Sequence, residues 1–162
     1  MKEYREPEFQ ALPQFLARQA AVTLGDLERP PDVELTDIAT AVEVRRALVA
    51  LAARVLDPQR LADFEVAVGE IATNAIVHGR PPVSVRMWTI SGPVTPVVVV
   101  AVHDRGTGPV DPLVGMQPPN PDQLGGFGMW IARNWSDALD VLSDDSGCTV
   151  RLAAAGRPAP RR

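Results

Sequence analysis

The chain has 162 residues, 46% of them hydrophobic and 22% charged, with one cysteine and a formal net charge of -4. That length suits one domain burying roughly 70% of the surface its unfolded form exposes, and the composition excludes a disordered or fibrous chain. The acidic balance removes the basic footprint of a nucleic-acid binder, the lone Cys148 excludes an internal disulfide, and Lys2 as the one lysine excludes a Walker A loop, a protein-kinase strand lysine and a pyridoxal Schiff base.

In chain order, residues 1–37 form an N-terminal arm or linker to which no role is assigned, although Phe9, Leu12, Phe15 and Leu16 suit an amphipathic helical turn or two. Thr40 with Glu43 reads as a capping box, and Val44, Leu48, Leu51 and Val55 follow at helical spacing. Asp57-Pro58 then supplies an N-cap and a proline at the first helical position. Leu61, Phe64, Val68, Ile71 and Ala75 make an apolar stripe that Gly79 closes, which predicts a second helix over residues 58–78.

Residues 83–88 alternate apolar with polar, as a half-buried strand does, and residues 97–102 form an apolar run that suits a fully buried strand and is far too short to cross a bilayer. Beyond Asp104, five prolines between Pro109 and Pro121 predict a long loop or lid. A third helix is expected from about residue 128 to 135, then strands over 139–142 and 149–152, and a disordered tail over 153–162. The sum is an α+β two-layer sandwich over residues 38–152, a mixed β-sheet with helices packed on one face. With no basic-then-apolar leader and no membrane segment, the expected location is the cytoplasm.

Three short signals carry chemistry. Glu70, Asn74 and His78 recur every four residues and so share one helix face away from the core stripe, either as a solvated polar face or as a site. An amide oxygen there suits Mg²⁺, and a carboxylate one turn earlier suits proton acceptance from a nucleophile. Asp104 ends the most hydrophobic strand and runs into Arg105-Gly106-Thr107-Gly108. A carboxylate at that mouth can accept a hydrogen bond from a ligand amine, while the glycines serve equally in a plain turn. Gly125-Gly126-Phe127-Gly128-Met129-Trp130 opens the third helix, whose N-terminus offers free N–H groups to phosphate, without the spacing of a Rossmann fingerprint.

Together and in this order, the three segments resemble the GHKL superfamily of ATP-binding domains, the Bergerat fold of gyrase B subunits and histidine kinases. Residues 70–79, Glu-Ile-Ala-Thr-Asn-Ala-Ile-Val-His-Gly, look like its N box, residues 104–108 its G1 box and residues 126–129 its G2 box; the Thr-Asn-Ala and His-Gly wording is most similar to the anti-sigma-factor serine/threonine kinase branch. The resemblance implies ATP and Mg²⁺ as cofactors, with Asn74 holding the metal, Glu70 acting as catalytic base, Asp104 receiving the adenine amine, and Gly106, Gly108, Gly126, Gly128 and Met129 lining the nucleotide pocket beneath the lid. It also implies a sigma factor and an anti-sigma antagonist as partners, and a homodimer. This sequence departs from the branch in having Phe127 between the G2 glycines and no basic residue between Arg105 and Arg133, so that Mg²⁺, helix N–H groups and Arg133 are left to carry triphosphate charge. It departs again where Cys148 follows Gly147 and displaces the expected threonine to Thr149.

The expected function is an ATP-binding anti-sigma regulatory factor with serine/threonine kinase activity toward an antagonist. The alternatives are a non-catalytic binding module whose partner surface is set by nucleotide, and a metal hydrolase built from Glu70, His78, His103 and Asp104.

Overall fold

The computed structural model of the protein describes residues 27–91, 95–111, 113–120 and 126–156. The expectations for Phe9 through Leu16, for Gly125 and for residues 157–162 lie outside them. Five strands and three helices occur within them: β1 (Val33–Leu35), α1 (Ala41–Ala52), α2 (Pro58–His78), β2 (Ser84–Ile90), β3 (Val97–Asp104), α3 (Phe127–Asn134), β4 (Ala138–Asp144) and β5 (Gly147–Ala155).

The helices form where periodicity and caps coincide. Asp57 accepts the Arg60 N–H at 3.0 Å and Pro58 opens α2, while Phe64, Val68, Ile71 and Ala75 are buried in the core. Each large side chain so buried contributes roughly 1.5–3 kcal/mol. At α1, Thr40 holds the N-cap position in extended conformation, but its hydroxyl reaches the Glu43 carboxylate at 3.1 Å and no side chain caps the backbone, so the expected reciprocal capping box does not form.

The sheet order is β1-β2-β3-β5-β4. Its four neighbouring pairs are all antiparallel, which corrects the expected mixed sheet. The crossover through α3 does return β4 in the direction of β3. The tight turn at Asp145 and Ser146 then folds β5 back between those two strands, so no parallel neighbours meet.

Two boundaries also move. Val33–Leu35 pairs with β2, Val33 opposite Met87 and Leu35 opposite Val85, so the domain begins inside the segment expected as an arm. Residues 153–155, expected in a disordered tail, complete β5: Val97 pairs with Ala155 and Val98 with Ala154, Ala153 and Ala154 are buried, and the Gly156 N–H donates to Pro96 O at 2.8 Å. Alanine carries little strand propensity, so register against the valines of β3, not local preference, holds this end.

Alternation along the strands builds two faces. Val85, Met87, Val98, Val100, Val102 and Leu152 face the helices in the main core. Trp88, Val99, Ala101 and Ala153 form a second cluster on the other face, where Leu27 packs and the Trp88 indole donates to Arg29 O at 3.1 Å. No helix among the described residues is long and apolar enough to cross a membrane.

Candidate functional site

The C-terminal end of α2, the end of β3, the start of β5 and the N-terminus of α3 converge at one end of the sandwich around a cavity of about 300 Å³. This volume lies at the lower end of the roughly 300–1,000 Å³ of small-molecule sites. Asn74, Asp104, Gly108, Gly126, Gly128 and Met129 all line it, although they come from three separate stretches of sequence.

Asp104 is the one charged side chain buried among the described residues, 8% exposed. Its Oδ1 accepts the backbone N–H of Gly106 at 2.6 Å and of Arg80 at 3.1 Å. Two backbone donors on a carboxylate offset much of the cost of burying its charge. No hydrogen bond among the described residues falls on Oδ2, which leaves an open acceptor on a residue that lines the cavity.

Three glycines close around this group. A Cβ on Gly79 would lie 2.5 Å from Asp104 Oδ1, one on Gly106 2.6 Å from the same oxygen, and one on Gly147 2.0 Å from the Asp104 carbonyl oxygen. Gly79 closes α2 as expected, yet with φ -79 it needs no left-handed conformation. Its missing side chain serves the carboxylate instead.

On α2, Asn74 and His78 line the cavity, whereas Glu70 does not. Glu70 lies beneath the first turn of α3: a Cβ on Gly128 would meet Glu70 Oε2 at 2.9 Å and Asn74 Nδ2 at 3.2 Å. Glycine at 128 therefore lets α3 descend onto the polar face of α2. Gly126, at φ 90, takes the left-handed N-cap position, and no side chain caps α3. Its first-turn N–H groups, and the positive end of its dipole, stay available to an anion.

Cys148 and Gly147 join the site through β5, a contribution the sequence signals through the turn glycine before the last strand. Asp104 pairs with Cys148 in register and His103 with Thr149. Alternation sends Cys148 into the cavity and Thr149 to the opposite face, where its hydroxyl lies 3.0 Å from His103 Nδ1. Thr149 is thus removed from the cavity, and burial pushes the Cys148 thiol pKa up. The same alternation takes His103 away from Asp104. Among the described residues no three His, Cys, Asp or Glu side chains are grouped to hold a metal, so the four-residue hydrolase centre is not assembled.

Val114 and Thr107 bring the lid to the cavity wall. Arg133, expected to share triphosphate charge, is engaged elsewhere: Nε donates to Val114 O at 3.0 Å and Nη1 to Leu139 O at 3.4 Å. No Arg or Lys lines the cavity among the described residues. Apolar walls from Ile71, Val102, Met129 and Val150, a carboxylate acceptor at the floor and an uncapped helix N-terminus across from an amide suit a purine with an exocyclic amine at one end and phosphates at the other.

A five-stranded antiparallel sheet with its helices on one face and this cavity at the end of its central strand is the architecture of a nucleotide-binding ATPase domain, and the chain belongs to the histidine kinase-like ATPase domain family, whose profile matches residues 34–154. The match begins within β1, in agreement with the boundary drawn by strand pairing. Over 118 residues the chain is 30% identical to an anti-sigma F factor of Caldanaerobacter subterraneus subsp. tengcongensis, an alignment covering 66% of this chain and 80% of that relative. The crystal structure of the RsbU and RsbW domains of Rv1364c from Mycobacterium tuberculosis superposes with a TM-score of 0.52 at 23% identity, covering 81% of this chain. This chain spans 35% of that one, and the likeness is one of fold. Family membership implies nucleotide binding.

Proposed function

We propose that this protein is an ATP-binding anti-sigma regulatory factor that holds a sigma factor and phosphorylates a serine or threonine of an antagonist protein in the cytoplasm. The observation that carries the nucleotide part is the buried Asp104 carboxylate, which lines the cavity and is gripped on one oxygen by two backbone N–H groups. An acceptor so fixed selects a base with an amine at that point, which is adenine and not guanine. The identity to an anti-sigma F factor supports the regulatory part.

In this reading Asn74 holds Mg²⁺ through its amide oxygen, which suits a hard ion that keeps most of its waters. The bound metal supplies charge neutralisation at the phosphates. Glu70, beside Asn74 and under α3, takes the proton of the attacking hydroxyl, and the N–H groups that begin α3 orient the phosphate chain. Gly108, Gly126, Gly128 and Met129 keep the walls close to the nucleotide, while Gly106, which does not line the cavity, serves by donating its N–H to Asp104. The protein works as a homodimer, with neither nucleic acid nor membrane as a direct partner.

One observation favours a second reading. With no Arg or Lys lining the cavity among the described residues, charge stabilisation of a transferring phosphoryl group is reduced, and nucleotide then acts by setting the lid and so the surface seen by a partner. Calorimetric titration with ATP and Mg²⁺ tests binding, and incubation with labelled ATP and a candidate antagonist tests transfer. Binding with transfer supports the kinase. Binding without transfer to any antagonist leaves the nucleotide-gated module, and no binding overturns both.

A further inference from the structure

Resting on the nucleotide-site reading above, we propose that Arg133 is a positioning residue that straps the lid to α3 and β4, and is not the cation that meets the nucleotide's phosphates. The lid segment holds its own turn locally: Leu113 N donates to Asp111 Oδ1 at 2.8 Å, Val114 N to Asp111 O at 3.1 Å and Met116 N to Leu113 O at 2.9 Å. These bonds give the turn its shape but do not attach it to the domain.

Val114 packs against the main core, and two contacts tie the turn to α3. Gly115, at φ 76, lies directly on α3, since a Cβ there would be 2.7 Å from Met129 C and O. The Arg133 guanidinium, one turn further along α3, donates Nε to Val114 O at 3.0 Å and Nη1 to Leu139 O in β4 at 3.4 Å. One planar fork thus spans the lid, its own helix and the sheet, a geometry suited to arginine's fixed array of donors.

Val114 and Met129 both line the cavity, as do Gly126 and Gly128 at the start of α3. Lid and helix N-terminus are therefore two walls of one site, and Arg133 ties them behind it. A ligand that orders either wall orders the other. The acceptors of Arg133 are neutral carbonyls, so the role requires directed donors, not positive charge.

That distinction makes the test. The Arg133→Ala and Arg133→Gln variants are titrated with ATP, ADP and adenosine at low and high salt, and backbone hydrogen exchange of residues 113–116 is followed without nucleotide. For a strap, Arg133→Ala loses roughly tenfold in affinity, by one common factor for all three ligands and with little salt dependence, as expected for lost hydrogen bonds. Exchange at 113–116 quickens severalfold, and Arg133→Gln, which keeps a neutral donor, recovers part of both effects. A loss that grows with the number of phosphates, shrinks at high salt and leaves exchange at 113–116 unchanged overturns the strap and makes Arg133 a phosphate ligand. If Arg133→Ala fails to fold, the Gln variant alone decides between the two patterns. If the wild type binds none of the three ligands, the nucleotide reading fails, and the exchange comparison still accepts or rejects the strap.

Discussion

Gly79, which ends α2, and Asp104, which ends β3, are packed so closely that a methyl group on the glycine would stand 2.4 Å from the carboxylate carbon. Helix and strand approach at this point without a side chain between them, and the Arg80 N–H that follows the glycine is thereby delivered to Oδ1. Gly79→Ala forces either the helix end or the carboxylate to move, a strain of about 1–3 kcal/mol. Calorimetry should show ATP affinity reduced about tenfold or more in a variant that still unfolds cooperatively. Unchanged affinity would mean that the position of the carboxylate is irrelevant to the ligand.

Asp104 itself gives the sharpest test of ligand identity. Wild type should prefer ATP to GTP, because the carboxylate accepts from the adenine amine and opposes the guanine carbonyl. Asp104→Asn exchanges an ionised acceptor for an amide and should lose about 1.5–3 kcal/mol of ATP binding, tenfold or more in Kd. Equal wild-type affinity for the two nucleotides counts against the adenine assignment.

Glu70 and Asn74 should fail differently when altered. Glu70 lies under α3 and outside the cavity lining, whereas Asn74 lines it. Glu70→Gln is expected to keep ATP affinity within a few fold while slowing transfer by roughly 10²- to 10⁴-fold, the usual range for a general base. Asn74→Ala is expected to weaken Mg-ATP binding itself and to slow transfer as a consequence. Parallel titrations and phosphorylation time courses separate the two, and identical behaviour of both variants would refute the division of labour.

Far from the cavity, Asp32 ties the chain before β1 to β2. Its carboxylate oxygens accept from both terminal nitrogens of Arg29, at 2.9 and 3.1 Å, and Oδ2 also accepts the Thr89 N–H at 2.6 Å and hydroxyl at 2.8 Å. The Arg29 guanidinium, helped by the Thr89 amide, holds this carboxyl well below the usual carboxylate range. Folding thus favours the ionised form: the stabilisation is present above the unfolded pKa of about 3.9 and is lost as pH falls through and below that value. The pair is partly exposed, so the effect is modest. Thermal unfolding between pH 6 and pH 3 should show a smaller fall in Tm for Asp32→Asn than for wild type, and equal slopes would remove the linkage.

Much of this was legible in the one-dimensional pattern, and for local reasons. Asp57, Pro58 and the stripe from Leu61 to Ala75 specify α2 because capping, proline geometry and a 3.6-residue repeat all act within a few residues of one another. The valine run of β3 and the polar face of α2 are readable in the same way, as is the glycine-led start of α3. What tertiary structure alone decided depends on partners distant in sequence. The three residues of β1 are too short a run to be read as a strand, the alanines that finish β5 have little strand propensity, and both are held by register against Val85 to Met87 and Val97 to Val99. The return of β5 between β3 and β4 made the sheet antiparallel. It also fixed the phase of alternation that sends Cys148 inward and Thr149 outward, although either is compatible with the local sequence. Gly79 and Gly147 read as ordinary ends of elements until Asp104 is placed against them, and Arg133 reads as a spare cation until Val114, nineteen residues earlier, presents its carbonyl. Periodicity determines which face of an element is buried; close packing and hydrogen-bond geometry between elements determine what each polar group on that face can touch.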